Sequence, residues 1–206
     1  MDPLFYQHDY WQTFPKGDKD TVAKDLHPSW DATTQSYKEI TYIHPAALEI
    51  IKSGPTFRAL DFGIGMGRNY DYLKTVFQEV YSFDTEIMVK NIQATGKNID
   101  VLTANWRDIL ANRYNVVFEC TVFQHMPPQE VLHRLMCIAQ TSPYLYSITR
   151  SYNDFFRNGS FGGVNMFKLV EATNLFDVAY CSIPIEEAQK SMDERHFHVL
   201  WQTKKV

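Results

Sequence analysis

The residues best suited to chemistry in this 206-residue chain form a short glycine-rich stretch, Asp61–Gly67. An apolar run, Phe57–Leu60, precedes it. Behind it, apolar side chains recur at helical spacing, at Tyr70, Leu73, Val76 and Phe77. This order of strand, tight turn and helix is the context that a nucleotide-type loop requires. Its glycines, Gly63, Gly65 and Gly67, allow the backbone N–H groups and the helix N-terminus to approach a ligand closely.

A second carboxylate follows Asp61 after 23 residues, at Asp84. Val80–Phe83 is predicted to be a short buried strand that ends at Asp84, and Glu86–Ile92 is predicted to be a helix that follows it. A carboxylate at the tip of this strand is placed to accept hydrogen bonds from both hydroxyls of a ribose. The alternative is an ordinary helix N-cap. The glycine loop upstream favours ribose binding.

The elements that must position these residues alternate between strand and helix. Residues 1–43 are an aromatic-rich segment that is either a lid or a segment that packs against the back of the sheet or mediates self-association. Residues 44–206 form one α/β domain. Five strands alternate with helices, and two further strands follow, at residues 176–183 and 196–203. The gap between these last two is too short for a full crossover helix, so we expect them to be antiparallel.

The motif D-x-G-x-G-x-G places Arg68 where the dinucleotide fingerprint requires its third glycine. With Asp61 at its head, the motif resembles motif I of the class I S-adenosylmethionine (SAM)-dependent methyltransferases. The resemblance spans roughly residues 30–206. It implies a three-layer Rossmann-like sheet of seven strands in the order 3-2-1-4-5-7-6, with strand 7 antiparallel and helices on both faces.

The resemblance also implies a set of cofactor contacts. Trp30–Tyr37 is similar to the family's lead-in, which places Tyr37 near the methionine end of SAM. Asn105 stands where the family often has an acid that accepts the adenine amino group. Trp106 either stacks on the adenine or is a core aromatic, and both interpretations stay open. Cys120 ends the fourth strand, where the family directs a backbone carbonyl toward the cofactor.

The methyl acceptor is expected beyond the fourth strand. His125 lies in a segment similar to the family's post-strand-4 loop and is the candidate general base, with a structural histidine as the alternative. Further candidates border the same region, at Glu119, Tyr152 and Asp154. Cationic side chains that could pair with a substrate carboxylate follow the fifth strand, at Arg150, Arg157 and Lys168.

Composition narrows the class of protein. The net charge of −4 and the lack of a basic stripe disfavour a nucleic-acid acceptor. No apolar run approaches about 18 residues and no signal peptide is evident, so no membrane partner is expected. Three cysteines at unpaired spacing favour a cytoplasmic protein. The histidines show no ligand spacing, so no metal is expected. Homo-oligomerisation stays open.

The sequence therefore leaves three functions to be compared. The first is a SAM-dependent methyltransferase that releases S-adenosylhomocysteine (SAH) and acts on a small molecule, mainly by positioning it. The second is a catalytically silent subunit with the same fold, because fold alone does not settle activity. A nicotinamide-dependent oxidoreductase is disfavoured by the loop spacing and by the terminal hairpin.

Overall fold

The computed structural model describes residues 30–31, 36–37, 42–54, 57–65, 67–149, 165–190 and 197–204. Two short strands, β1 (Trp30–Asp31) and β2 (Ser36–Tyr37), form an antiparallel pair. The first helix, α1 (Pro45–Lys52), begins with a proline, whose missing N–H would have no partner in a first helical turn anyway.

The main sheet is built from alternating strands and helices. Its first three strands are β3 (Arg58–Phe62), β4 (Glu79–Phe83) and β5 (Val101–Thr103). The helices α2 (Tyr70–Val76), α3 (Glu86–Ala94) and α4 (Trp106–Leu110) follow these strands in turn.

The second half continues with β6 (Val116–Cys120), a 3-10 turn (Phe123–His125), α5 (Pro128–Thr141) and β7 (Tyr144–Thr149). It ends with α6 (Met166–Thr173), β8 (Phe176–Cys181), a short helix α7 (Ile185–Lys190) and β9 (Phe197–Thr203).

Seven strands form one sheet in the order β5-β4-β3-β6-β7-β9-β8. Numbered from β3, this is the order 3-2-1-4-5-7-6. The final strand pairs antiparallel with both of its neighbours, β7 and β8. The predicted fold class and the antiparallel ending are thus confirmed. The helix α7 was not predicted, since its six residues form fewer than two turns and carry little periodicity.

Apolar clusters cover both faces of this sheet. One buries side chains of α1, α2 and α3, including Ala47, Leu73 and Ile92. The other buries side chains of α4 to α7, such as Ile109 and Leu135. Because β3 lies between β4 and β6 and all three are parallel, their carboxyl ends meet at one edge of the sheet. That edge carries Asp61, Asp84 and Cys120.

Candidate cofactor site at the carboxyl edge of the sheet

The glycine loop leaves β3 in a backbone conformation that only glycine adopts easily. Gly63 has a φ of 77° and Gly65 a φ of 55°. A Cβ atom on Gly63 would lie 2.3 Å from a methyl carbon of Val122, whereas a Cβ on Gly65 would meet nothing within 4 Å. Gly63 is therefore required by packing within the protein. Gly65 borders open space, which suits the close approach of a ligand.

The carboxylate of Asp84 is held by the glycine loop. The Gly65 N–H donates to Oδ2 of Asp84 at 2.8 Å, and the Thr85 N–H donates to Oδ1 at 2.7 Å. Burial raises the pKa of Asp84 to about 6, although these two N–H groups act in the opposite direction. Two bonds leave other lone pairs of the carboxylate available to ribose hydroxyls.

The alternative interpretation of Asp84 was a helix N-cap. The cap of α3 is instead Thr85, whose hydroxyl accepts the N–H of Met88 at 3.4 Å. Since the capping position is taken by its neighbour, the geometry favours a ligand-binding role for Asp84. That role stays a prediction.

Asp61 is buried at the end of β3, with 1% of its surface exposed. Its Oδ2 has no hydrogen-bond donor among the described residues. Burial raises the pKa of Asp61 to about 7, while the charge of Arg68 opposes this rise. A buried carboxyl oxygen without a donor is costly for the fold. It is the atom that an ammonium group of a bound cofactor could satisfy, so the residues present fit SAM.

Arg68 connects the glycine loop to the end of β6. One guanidinium nitrogen donates to the sulfur of Cys120 at 3.2 Å. Burial raises the pKa of the Cys120 thiol, with Arg68 opposing it, so this side chain is a buried thiol rather than a reactive thiolate. Cys120 thus lies at the carboxyl end of β6, as predicted.

Asn105 caps α4 with its side chain. Its Oδ1 accepts the N–H of Arg107 at 3.1 Å, and its amide nitrogen donates to Asp108 at 3.0 Å. The side chain is exposed and both of its polar ends are already engaged. A contact to the adenine ring would use the second lone pair of the carbonyl oxygen, and that contact stays a prediction.

Trp106 packs in an aromatic cluster beneath this edge. Its ring lies edge-on to Phe83, with 5.0 Å between ring centroids, and to Phe62 at 5.7 Å. The guanidinium of Arg134 covers the ring at 4.4 Å from its centroid. These contacts favour the core-aromatic interpretation over adenine stacking.

A turn after β6 completes the edge, and sequence reasoning missed it. Thr121 adopts a left-handed conformation with a φ of 62°, and its N–H donates to the Ile148 carbonyl at 2.9 Å. Left-handed backbone at a β-branched residue is uncommon and costs roughly 1–3 kcal/mol. No residue type in the sequence signals it, because threonine is disfavoured in this conformation.

A match to a family model covers most of the chain. The model is described as "Tellurite resistance protein TehB", and it matches residues 30–205. The chain belongs to the TehB family. A comparison with curated protein sequences gives no match.

Solved structures show the same fold as this TehB-family chain. Magnesium protoporphyrin IX methyltransferase (ChlM) from Synechocystis PCC 6803, with bound SAM, has a TM-score of 0.59 at 15% identity, over 100% of this chain and 98% of that one. The N-methyltransferase NodS from Bradyrhizobium japonicum WM9, in complex with SAH, has a TM-score of 0.65 at 11% identity, over 100% of both chains.

TehB from Haemophilus influenzae has a TM-score of 0.53 at 18% identity, over 90% of this chain and 66% of that one. At these identities the likeness establishes the fold. Together with the family match, it confirms the resemblance to class I SAM-dependent methyltransferases.

One predicted acceptor contact is wrong. Glu119 was expected to border the acceptor pocket, but it is fully buried within β6 and its Oε2 accepts the N–H of Val122 at 2.9 Å. Burial raises the pKa of Glu119 to about 7. The apolar strand around it was a usable signal, because a strand covered on both faces buries every side chain it carries.

The remaining acceptor candidates and the cofactor candidate Tyr37 are only partly described. The backbone of His125 lies in the 3-10 turn and that of Tyr37 lies in β2, but their side chains lie outside the described structure. Lys168 is exposed on α6. Four other candidates lie outside the described residues: Arg150, Tyr152, Asp154 and Arg157.

Two further findings concern metals and membranes. Among the described residues, no group of three or more His, Cys, Asp or Glu side chains could hold a metal ion. None of the described helices combines the length and the apolar character that a membrane span requires.

Proposed function

We propose that this protein is a SAM-dependent methyltransferase that acts on a small-molecule acceptor. The observation that carries the proposal is the hydrogen bond from the Gly65 N–H to the Asp84 carboxylate, which joins the glycine loop to the tip of β4. The bond prearranges an open loop and a ribose acceptor at the carboxyl edge, where open α/β sheets bind their ligands.

In this proposal the cofactor is SAM and the product is SAH. Asp84 would accept hydrogen bonds from the ribose hydroxyls, the Gly63–Gly67 loop would hold the cofactor, and Asp61 would bind its amino group. Bound SAM supplies a methyl group on a positively charged sulfur, so the main task of the protein is to align the acceptor with that methyl. His125 would be needed as a base only for an acceptor that loses a proton.

For the acceptor we favour a small metabolite with a carboxylate, hydroxyl or amine. The net charge of −4 disfavours a polyanion at long range. The family is named for tellurite resistance, so tellurite, a small inorganic oxyanion, belongs among the acceptors to be assayed.

We further propose that residues 1–43 act as a lid over the cofactor. The support comes from what we call the tyrosine clamp, formed by Tyr72, Tyr146 and His198 around residues 42–44. The Tyr72 hydroxyl accepts the N–H of Ile43 at 3.1 Å, and the Tyr146 hydroxyl accepts that of His44 at 2.7 Å. Tyr72 belongs to α2, which follows the glycine loop, so the clamp holds residues 42–44 against the helix that leaves that loop.

The lid has a direct test in limited proteolysis with and without SAH. A lid should become more resistant to cleavage when SAH is added. Unchanged cleavage kinetics would favour the alternatives, in which residues 1–43 pack against the back of the sheet or mediate self-association.

The main proposal is tested by calorimetric titration with SAM, SAH and NAD, followed by transfer of labelled methyl groups. We expect SAM and SAH to bind, NAD not to bind, and label to enter a metabolite fraction or tellurite. Salt-sensitive incorporation into RNA, with none into small molecules, would overturn the acceptor class. SAM binding without transfer to any acceptor would favour the catalytically silent subunit.

A further inference from the structure

A buried carboxylate beside the cofactor edge has no role in the site described so far. Glu119 is the next-to-last residue of β6 and none of its surface is exposed. Its Oε2 accepts the Val122 N–H at 2.9 Å. The N–H of Phe123 and the hydroxyl of Ser147 also favour its ionised form. The carboxylate therefore holds the turn that follows the strand through the Val122 N–H, while its Oε1 has no hydrogen-bond partner among the described residues.

The turn that Glu119 holds is strained. Thr121 has a φ of 62°, where its branched Cβ crowds the backbone. Such a conformation persists only where the surrounding contacts enforce it. Here it is enforced from two sides, by Glu119 through Val122 and by the bond from the Thr121 N–H to the Ile148 carbonyl.

The same turn touches the glycine loop. A methyl carbon of Val122 lies so close to Gly63 that a Cβ there would approach it to 2.3 Å. Phe123 packs on Phe62, the residue before Gly63, with 5.3 Å between ring centroids. The position of the turn thus limits where the glycine loop can lie.

We propose that Glu119 is a positioning residue for cofactor binding, because its carboxylate holds the strained turn at Thr121 and Val122 against Gly63 and so fixes the glycine loop. This inference rests on the proposed function, since it concerns the affinity for SAM. In this role Glu119, none of whose surface is exposed, would act through the turn and not by touching the cofactor.

A double-mutant cycle separates this role from simple stabilisation of the core. Glycine adopts positive φ without strain, so Thr121→Gly removes the need for Glu119 to enforce the turn. The dissociation constant for SAM is measured calorimetrically for the wild type, Glu119→Ala, Thr121→Gly and the double variant. We expect Glu119→Ala to raise this constant about tenfold in the wild-type background and at most about threefold in the Thr121→Gly background.

Asn174 provides the matched control. It is the other non-glycine residue with positive φ among those described, at 52°, and it caps α6 away from the glycine loop. Asn174→Gly relieves a similar conformation, so the effect of Glu119→Ala should persist in that background. An equal effect of Glu119→Ala in all three backgrounds, or wild-type affinity in a folded Glu119→Ala variant, would overturn the inference.

If Glu119→Ala does not fold, Glu119→Gln takes its place in the same cycle. The amide keeps the size of the side chain and one acceptor oxygen but loses the negative charge that strengthens the bond to the Val122 N–H, so we expect a weaker affinity for SAM that Thr121→Gly partly restores. A wild-type protein that does not bind SAM would instead refute the proposed function, and with it this inference.

Discussion

Two clusters of buried polar groups differ in how their hydrogen bonds are satisfied. In the tyrosine clamp, the hydroxyls of Tyr72 and Tyr146 accept backbone N–H groups, and the Tyr146 hydroxyl lies 2.5 Å from Nδ1 of His198. At the carboxyl edge of the sheet, Oδ2 of Asp61 has no hydrogen-bond donor among the described residues. The hydroxyls of the clamp find their hydrogen-bond partners within the protein, so the clamp is structural. The carboxyl edge of the sheet instead retains an unsatisfied oxygen of Asp61 that a ligand can satisfy.

The pKa shifts of the two clusters lie in opposite directions. Burial raises the pKa of Asp61 to about 7 and lowers that of His198 to about 4. Both groups therefore favour their neutral forms. The neutral imidazole suits the clamp, because its Nδ1 can accept the Tyr146 hydroxyl. A neutral Asp61 would attract a cationic cofactor less, so at this edge stability and ligand binding are opposed.

The largest effect is expected from Gly65→Val. Positive φ makes valine unfavourable there by about 1–2 kcal/mol, and the side chain would occupy the open space where a ligand approaches. We expect SAM binding to be lost in calorimetric titration.

Gly96→Val is the matched control for this change. Gly96 also has positive φ, at 72°, and a Cβ there would meet nothing within 4 Å, but it lies beyond the C-terminal end of α3. This variant should lose comparable stability and still bind SAM. Equal binding by both variants would remove the glycine loop from the site.

Asp61→Asn should make the protein more stable and a weaker ligand binder. The pKa of Asp61 is higher in the folded protein than its ordinary 3.8, so its contribution to stability is present below pH 3.8 and is lost as the pH rises toward 7. Asparagine does not ionise, so the Asp61→Asn variant does not lose this stability as the pH rises.

At pH 8 we expect the free energy of unfolding of Asp61→Asn to exceed that of the wild type by about 2–4 kcal/mol, measured by denaturant titration. At pH 4 the two proteins should be nearly equal. A variant less stable than the wild type at pH 8 would show that the Asp61 carboxylate stabilises the free protein.

A substitution in the tyrosine clamp should reduce the stability of the protein rather than its affinity for SAM. Tyr146→Phe removes the acceptor of the His44 N–H, which should cost about 1–3 kcal/mol of stability and change the affinity for SAM little. A large loss of affinity in a folded variant would show that the two clusters are coupled.

The pH dependence of the clamp follows from His198. Because its folded pKa of about 4 is below the ordinary 6.5, its contribution is complete above pH 6.5 and is lost as the pH falls toward 4. The difference in stability between wild type and His198→Gln should change across this interval. A difference in stability that stays constant between pH 7 and pH 4 would contradict the lowered pKa of His198.

The sequence predicted the strand order and the position of the glycine loop in the fold, whereas the roles of the site residues stay predictions. The strand order came from the family resemblance and the final antiparallel pair from the short gap between strands. Asp61, Gly65 and Asp84 could be placed because glycine spacing and strand ends are local signals. The bond between Gly65 and Asp84 needed the structure, since it joins residues on neighbouring strands.

The error at Glu119 arose because the direction in which a side chain faces decides its role. Glu119 lies near the end of a strand, where a polar residue can meet a ligand or bond to the backbone, and it bonds to the backbone. His198 is half-buried against Tyr146, a contact that the sequence does not signal because the two residues lie on different strands, 52 positions apart in the chain.

The most direct measurement is the calorimetric affinity for SAM of wild type, Asp84→Ala and Asp177→Ala. Asp177 is an exposed carboxylate on β8, at the far edge of the sheet, so its removal controls for the change in net charge. We predict that Asp84→Ala weakens SAM binding by about 1.5–3 kcal/mol and that Asp177→Ala leaves it unchanged. Wild-type affinity in a folded Asp84→Ala variant would contradict the assignment of this edge as the cofactor site.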